Sequence, residues 1–298
     1  MRLITLLLKF RNYLKEKKYL KKLNPLFKHS KNISIISWYG GFGNNLIQIA
    51  NSIVYSKHFK KNLYIPIHGL LNPSKIDQLN SHNSIYSLKS TFFYNNFQDL
   101  SYKDYYQSQI NNIFKTYVFD LIEFYKEINL KDNELVIHLR PMITVENKTY
   151  KYIEHKDYLQ NPLNYYLKLI EQYDHTTIVT ENIFSNPLVP ILSSHDNVKI
   201  QSGTVVEDFN YLLNAKNLVL STNSTFSITA ALISKNLEKF YYSSLNRDNM
   251  LVRAVQCNEK YEIILGNYIE RNEDLDLYTI FHKLLSKDVS INIKKVNS

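Results

Sequence analysis

The chain has 298 residues, 44% of them hydrophobic, enough to bury one large core or two of roughly 100 to 150 residues each. Its single cysteine, Cys257, excludes an internal disulfide framework and a multi-cysteine zinc site and suits a reducing compartment. Of 36 bases and 27 acids, ten bases and one acid lie in the first 32 residues; the rest holds 26 of each, so the net charge of +9 belongs to an arm and the body is neutral.

In that arm, residues 1–31, Leu3, Leu7, Phe10 and Leu14 recur at helical spacing with lysines on the opposite face. The pattern predicts a basic amphipathic helix that can lie flat on an anionic membrane surface. A solvated arm, or a helix docked on the body, is the alternative. The apolar run at residues 3–8 is too short to span a bilayer. Lys9 interrupts it, and no small-residue cleavage site of a secretory signal follows. No nucleic-acid-binding motif accompanies the arm, so nucleic acid is not an expected partner.

Next comes "NISIISW", a β-branched run read as a strand, then the glycine stretch "GGFGNNLIQIA", then a helical face of Leu46, Ile49, Ala50, Ile53 and Val54, then "NLYIPI" as a second strand. Residues 70–128 are less regular, with one helix predicted over residues 105–125. A second alternating series begins at "ELVIHLR" and runs through "NPLNYYLKLIEQY", "TTIVTEN", "NPLVPILSS", "NVKI", "TVVEDFNYLLNA", "KNLVLS", "STFSITAALIS" and "KFYYSS". Strands separated by single helices predict parallel sheets covered on both faces. The expected fold is therefore α/β, two Rossmann-like domains facing a cleft. The expected division is an arm at 1–31, an N-terminal domain carrying the glycine stretch at 32–130, a second domain at 131–250 and a C-terminal helical segment at 251–298.

Three of the six glycines, Gly40, Gly41 and Gly43, stand between a strand and a helix N-terminus. Such a turn offers unpaired N–H groups to an anion or a sugar hydroxyl. The dinucleotide fingerprint fails because Leu46 stands where a third small residue is needed, and no Gly-Lys-Ser/Thr follows for a P-loop. A tight structural turn and a ligand loop both remain open. The expected turn is Gly40, Gly41 and Gly43, with Asn44 and Asn45 starting the helix and Gln48 facing a ligand. In "IHLRP", His138 and Arg140 fall at the carboxyl end of a strand, where open α/β sheets bind ligands, and Pro141 holds Arg140 extended. In "LSTNSTFSITAAL", the hydroxyls and amides of Ser224 and Thr225 open a helix, as a second anion site or as ordinary caps.

Together these stretches resemble the bacterial α-1,2-fucosyltransferase family within the GDP-fucose fucosyltransferase superfamily. "GGFGNNLIQIA" is similar to its Gly-Gly-Leu-Gly-Asn-Gln signature, "IHLR" to its His-x-Arg-Arg motif and "NSTFS", which opens at Asn223, to its Asn-Ser-Ser/Thr-Phe-Ser motif; the likeness covers roughly residues 33–234. The resemblance implies a GT-B-like fold, with 32–130 as the acceptor-side domain and 131–250 as the nucleotide-sugar donor-binding domain, and inverting, metal-independent transfer of a sugar, with a nucleotide-sugar co-substrate such as GDP-fucose and no cofactor. It implies Arg140 on the donor pyrophosphate, His138 and Asp208 on the purine, Glu181 beside the nucleoside, and Asn223, Ser224 and Thr225 at the phosphates. The acceptor would be a hydroxyl of a glycan or lipid-linked oligosaccharide, a surface polysaccharide or lipopolysaccharide precursor, at the inner face of a cell membrane. Here the motif's second arginine is Pro141 and the family's paired tryptophans are Ile228 and Thr229. A same-fold transferase with another nucleotide sugar, or a membrane-tethered nucleotide- or glycan-binding protein without turnover, is the alternative. The Asp274-Leu275-Asp276 triplet reads as a helix cap, not a metal motif.

Overall fold

A computed structural model describes residues 31–81, 88–90, 92, 100–146, 149–152, 160–268 and 277–296. The basic arm and the Asp274–Asp276 triplet fall outside them, apart from Lys31. A small parallel sheet opens the chain, with β1 (Asn32–Ile35) between β2 (Asn62–Tyr64) and β3 (Leu88–Ser90). Helix α1 (Phe42–Phe59) links β1 to β2, and α2 (Pro73–Leu79) follows. Strand β2 stops at Tyr64, short of Pro66, which has no N–H for a ladder. The helix predicted at 105–125 is α3 (Leu100–Ile113), which widens into a π turn at Phe114–Val118 and then ends. Thr116, Tyr117, Val118 and Phe119 are weak helix formers at that point.

The second sheet holds β4 (Glu134–His138), β7 (His175–Val179), β8 (Val198–Gln201), β9 (Asn217–Val219), β10 (Lys239–Ser243), β11 (Glu259–Gly266) and β12 (Ser290–Val296). A hairpin of β5 (Ile143–Glu146) and β6 (Thr149–Tyr152), not expected from sequence, interrupts the series. The connecting helices are α4 (Leu163–Ile170), α5 (Leu188–Leu192), α6 (Val205–Asn214) and α7 (Thr225–Ile233), then α8 (Met250–Ala254) and α9 (Leu277–Leu285). The strand order is β12-β11-β10-β9-β4-β7-β8, parallel except for antiparallel β12. Counted from β4, the six parallel strands follow the Rossmann-like order 3-2-1-4-5-6. All five residues of β4 are buried, as a central strand covered on both faces requires.

The C-terminal segment is helical only in part: beside α8 and α9 it holds β11 and β12, which pair along seven residue positions, and the alternation of Ile291 and Ile293 with Asn292 and Lys294 is a strand period. The described residues also do not show two domains facing a cleft. One hydrophobic cluster runs from Ile33 and Leu46 in the small unit through Ile228 and Leu232 of α7 to Val136 and Leu218 of the large sheet. Helix α7 makes this possible. Its residues from Ser227 to Ile233 are all buried, so it serves as core between the sheet and α1.

Candidate functional site at the switch point of the sheet

After β8 the chain crosses back through α6 to β9, so β4 has β7 on one side and β9 on the other. The carboxyl ends of β4 and β9 therefore lie side by side while the chain leaves them toward β7 on one side and β10 on the other, a topological switch point, where open α/β sheets usually bind ligands. Arg140 stands there, two residues beyond β4. Its N–H donates to Ser221 Oγ at 3.2 Å and its C=O accepts from Asn186 Nδ2 at 2.9 Å. Its guanidinium Nη1 donates to the C=O of Asn223 at 3.1 Å. Ser221 and Asn186 are buried, so the loops after β9 and β7 grip this residue from both sides. Asn223 has φ +50°, a left-handed conformation asparagine tolerates, and this turns its carbonyl to the arginine.

Two helix N-termini meet beside it. Ser224 is the N-cap of α7, buried, and its hydroxyl caps no backbone N–H; Thr225, half-buried, opens the helix. Gly41 is the N-cap of α1, where no side chain caps either. A Cβ added at Gly43 would lie 2.6 Å from Thr225 C and O and from Phe226 N, so the first turns of α1 and α7 touch backbone to backbone. Uncapped helix N-termini present N–H groups and a partial positive charge to anions. With Arg140, the arrangement suits a diphosphate.

The other expected residues fare differently. Helix α1 begins at Phe42, so Gly43 lies in its first turn and Asn44 and Asn45 follow the start instead of making it. Gly40 forms the turn, at φ +66°. Asn44 is half-buried on the first turn. Gln48 does not face a ligand: it is fully buried, accepting from Tyr39 N at 2.8 Å and donating to Ser37 O at 2.8 Å. Asn45 donates to Tyr39 O at 3.0 Å and Gln48 Oε1 at 3.2 Å, and its Oδ1 meets His68 Nε2 at 3.0 Å. These amides fasten the 37–40 loop.

His138 likewise turns inward, its Nδ1 3.0 Å from Ser227 Oγ and its ring tilted against Phe226. Burial, then the Arg140 charge, pushes its pKa down to about 3, so it is a neutral brace between β4 and α7 and not the expected purine contact. Asp208 is buried, with Oδ1 accepting from Gln201 Nε2 at 3.1 Å and Gly203 N at 2.9 Å. Burial raises its pKa against those two bonds, and this carboxylate oxygen ties α6 to the loop after β8. Glu181 is exposed beyond β7, at the same edge of the sheet.

Sequence reasoning missed Asn186, Ser221, Ser227 and His68 as supports. Asn186 had a usable signal: Asn before Pro187 opens a turn, and its Oδ1 accepts from Leu188 N at 2.9 Å, an Asx turn.

Two cavities lie at the opposite, amino edge of the sheet. One of ≈ 590 Å³ includes Glu127, Asp132, Lys216 and Lys235, with Lys216 already paired to Asp132. The other, of ≈ 150 Å³, adjoins Glu134. Burial alone would raise the Glu134 carboxyl, but hydrogen bonds from Thr177, Tyr211 and Lys131 N, with the Lys199 charge, hold it below its ordinary value. Both are paired, mixed-charge surfaces without the convergence of donors found at Arg140. No described helix is long and apolar enough to cross a membrane. Compared with known proteins, the chain matches no family model and no curated sequence.

Proposed function

We propose that the switch-point site at Arg140 binds the diphosphate of a nucleotide sugar and that the protein transfers the sugar to a hydroxyl of a glycan or lipid-linked acceptor. The observation that carries this reading is the convergence, at one switch point, of a clamped arginine and two helix N-termini without side-chain caps. In such a transfer the acceptor hydroxyl gives up its proton to a general base or solvent as its oxygen bonds to the anomeric carbon and the bond to the diphosphate oxygen breaks. Negative charge grows on the departing diphosphate, and a forked guanidinium with fixed N–H donors stabilises it. Fucose from GDP-fucose is the reading the motif resemblance favours. Because His138 and the Asp208 oxygen are engaged within the protein, base choice falls to other groups, and the same site accommodates another nucleotide sugar.

The test is nucleotide release from GDP-fucose, UDP-sugars and CDP-sugars in the presence of an acceptor panel. Losing a preorganised donor of this kind costs about 100- to 1,000-fold in rate. Arg140→Ala is expected to fall by that much, and Arg140→Lys to recover little, since a point charge cannot reproduce the fork. Parental rates in Arg140→Ala would overturn the assignment.

A further inference from the structure

The loop after β7 holds two apolar side chains in solvent. Asn182 Oδ1 accepts from Phe184 N at 2.8 Å, and its C=O accepts from Ser185 N at 3.0 Å and Ser185 Oγ at 2.6 Å. Ser185 O in turn accepts from Met142 N at 2.7 Å, and Asn186 donates to Arg140 O. The loop is thus tied down on both sides of Phe184, which leaves Phe184 62% and Ile183 41% exposed. Ser202 Oγ donates to Glu181 O at 3.1 Å and brings the loop after β8 alongside, where Val205, 49% exposed, opens α6.

Acids accompany these three. Residues 180–215 hold Glu181, Asp196, Glu207 and Asp208 against one base, Lys199, whose Nζ turns to Glu134 at 3.5 Å on the amino edge of the sheet. Glu181 and Glu207 are exposed. The exposed Ile36, Tyr39, Ile67 and Leu70 differ: they lie in segments 32–56 and 62–74, which contain no Asp, Glu, Lys or Arg. A patch that is apolar with acids at its margin repels an anionic lipid surface and fits an apolar stripe flanked by cations. The arm of this chain has that chemistry. Leu3, Leu7, Phe10 and Leu14 share one helical face, with Arg2, Lys9, Arg11 and Lys15 beside it. Residues 15–30, which join that face to Lys31, can span at most about 55 Å, more than twice the ~19 Å radius of gyration of a compact chain this long.

We infer that residues 3–14 dock on Ile183, Phe184 and Val205 of the same chain, with the flanking cations on Glu181 and Glu207, and that an anionic lipid surface competes for them. The docked arm sits on the loop that bonds Arg140 O, and lipid clears it from there. The contact stands apart from the transfer reading, since neither nucleotide nor turnover enters its test. The full chain would be treated with a carbodiimide, which joins lysines to carboxylates in contact, and the links mapped by mass spectrometry. Amide exchange of residues 3–14 would be followed in the parent, Phe184→Asp and Phe10→Asp. Phe184 is on the surface, so its variant should melt like the parent, and Phe10→Asp leaves the body unchanged. Links from Lys9 or Lys15 to Glu181 or Glu207 within one chain are expected, with exchange about tenfold or more faster in both variants than in the parent. Phosphatidylglycerol vesicles should abolish the links and phosphatidylcholine vesicles should keep them. Equal exchange in all three proteins, links to other acids only, links only between mixed isotope-labelled copies, or links that persist on phosphatidylglycerol would overturn the inference.

Discussion

Arg140 is held by residues far from it in sequence, Ser221, Asn186 and Asn223, and the grip falls on its backbone as well as its side chain. Removing the guanidinium therefore leaves the loops tied through Arg140 N and O. His138, two residues earlier, shows the opposite use of a polar side chain, as part of the core. Its folded pKa of about 3 lies below the ordinary 6.5, so its stabilising contribution is complete above about pH 6.5 and is lost as the pH falls toward 3. The melting temperature should fall on acidification from pH 7 to about pH 4.5, and His138→Gln should fall less over the same interval. Equal slopes would mean that the ring is not buried neutral. The residues at the edge of the sheet were legible from strand ends and motifs. What each side chain does was not, because burial decides it: "IHLR" does not tell whether an alternate residue points at a ligand or, like His138, at Ser227.

At the level of elements, the glycine stretch separates into three causes. Gly40 answers a positive φ, and Gly43 answers the contact with α7. Gly41 has φ −83°, open to any residue, and a Cβ there meets nothing within 4 Å. Gly43→Ala should thus lower stability by about 1 to 3 kcal/mol, the usual cost of overpacking. Gly41→Ala should melt like the parent, yet weaken nucleotide binding if a ligand approaches that backbone. Thermal unfolding and nucleotide titration of both variants check this; normal binding in Gly41→Ala would reduce the stretch to a structural turn. The helices and most strands from β4 to β10 were readable because period and turn residues agree. The capping box of α6 is an example: Thr204 and Glu207 bond reciprocally, Glu207 N to Thr204 Oγ1 at 3.2 Å and Thr204 N to Glu207 Oε2 at 2.7 Å. Strands β11 and β12 were not legible because the helical period at 277–285 stands between them and dominates the pattern of the segment.

At the scale of the whole molecule, the order 3-2-1-4-5-6 brings Arg140 and Ser224 together although 84 positions separate them, and no local pattern encodes that. Two facing domains are not shown among the described residues, for a related reason. The sequence repeats its βαβ rhythm twice, but the rhythm does not say that α7 and α1 will share one core. The net charge divides the molecule along another line, into a basic arm and a neutral body. Deleting residues 1–30 should abolish binding to phosphatidylglycerol vesicles in a sedimentation assay while nucleotide-stabilised melting of the body persists. Undiminished vesicle binding by the truncated chain would remove the arm from any membrane role.

The central claim, that the switch-point site receives a diphosphate on Arg140, is tested most directly by calorimetric titration of the parent and Arg140→Ala with GDP, UDP and CDP, alongside their melting temperatures without ligand. The account predicts that at least one nucleoside diphosphate binds the parent, that Arg140→Ala unfolds at a similar temperature, and that its affinity for that nucleotide drops by about 1.5 to 3 kcal/mol, the scale of a hydrogen bond to a charged group. Equal affinities in the two proteins, or no binding of any of the three to the parent, would contradict it.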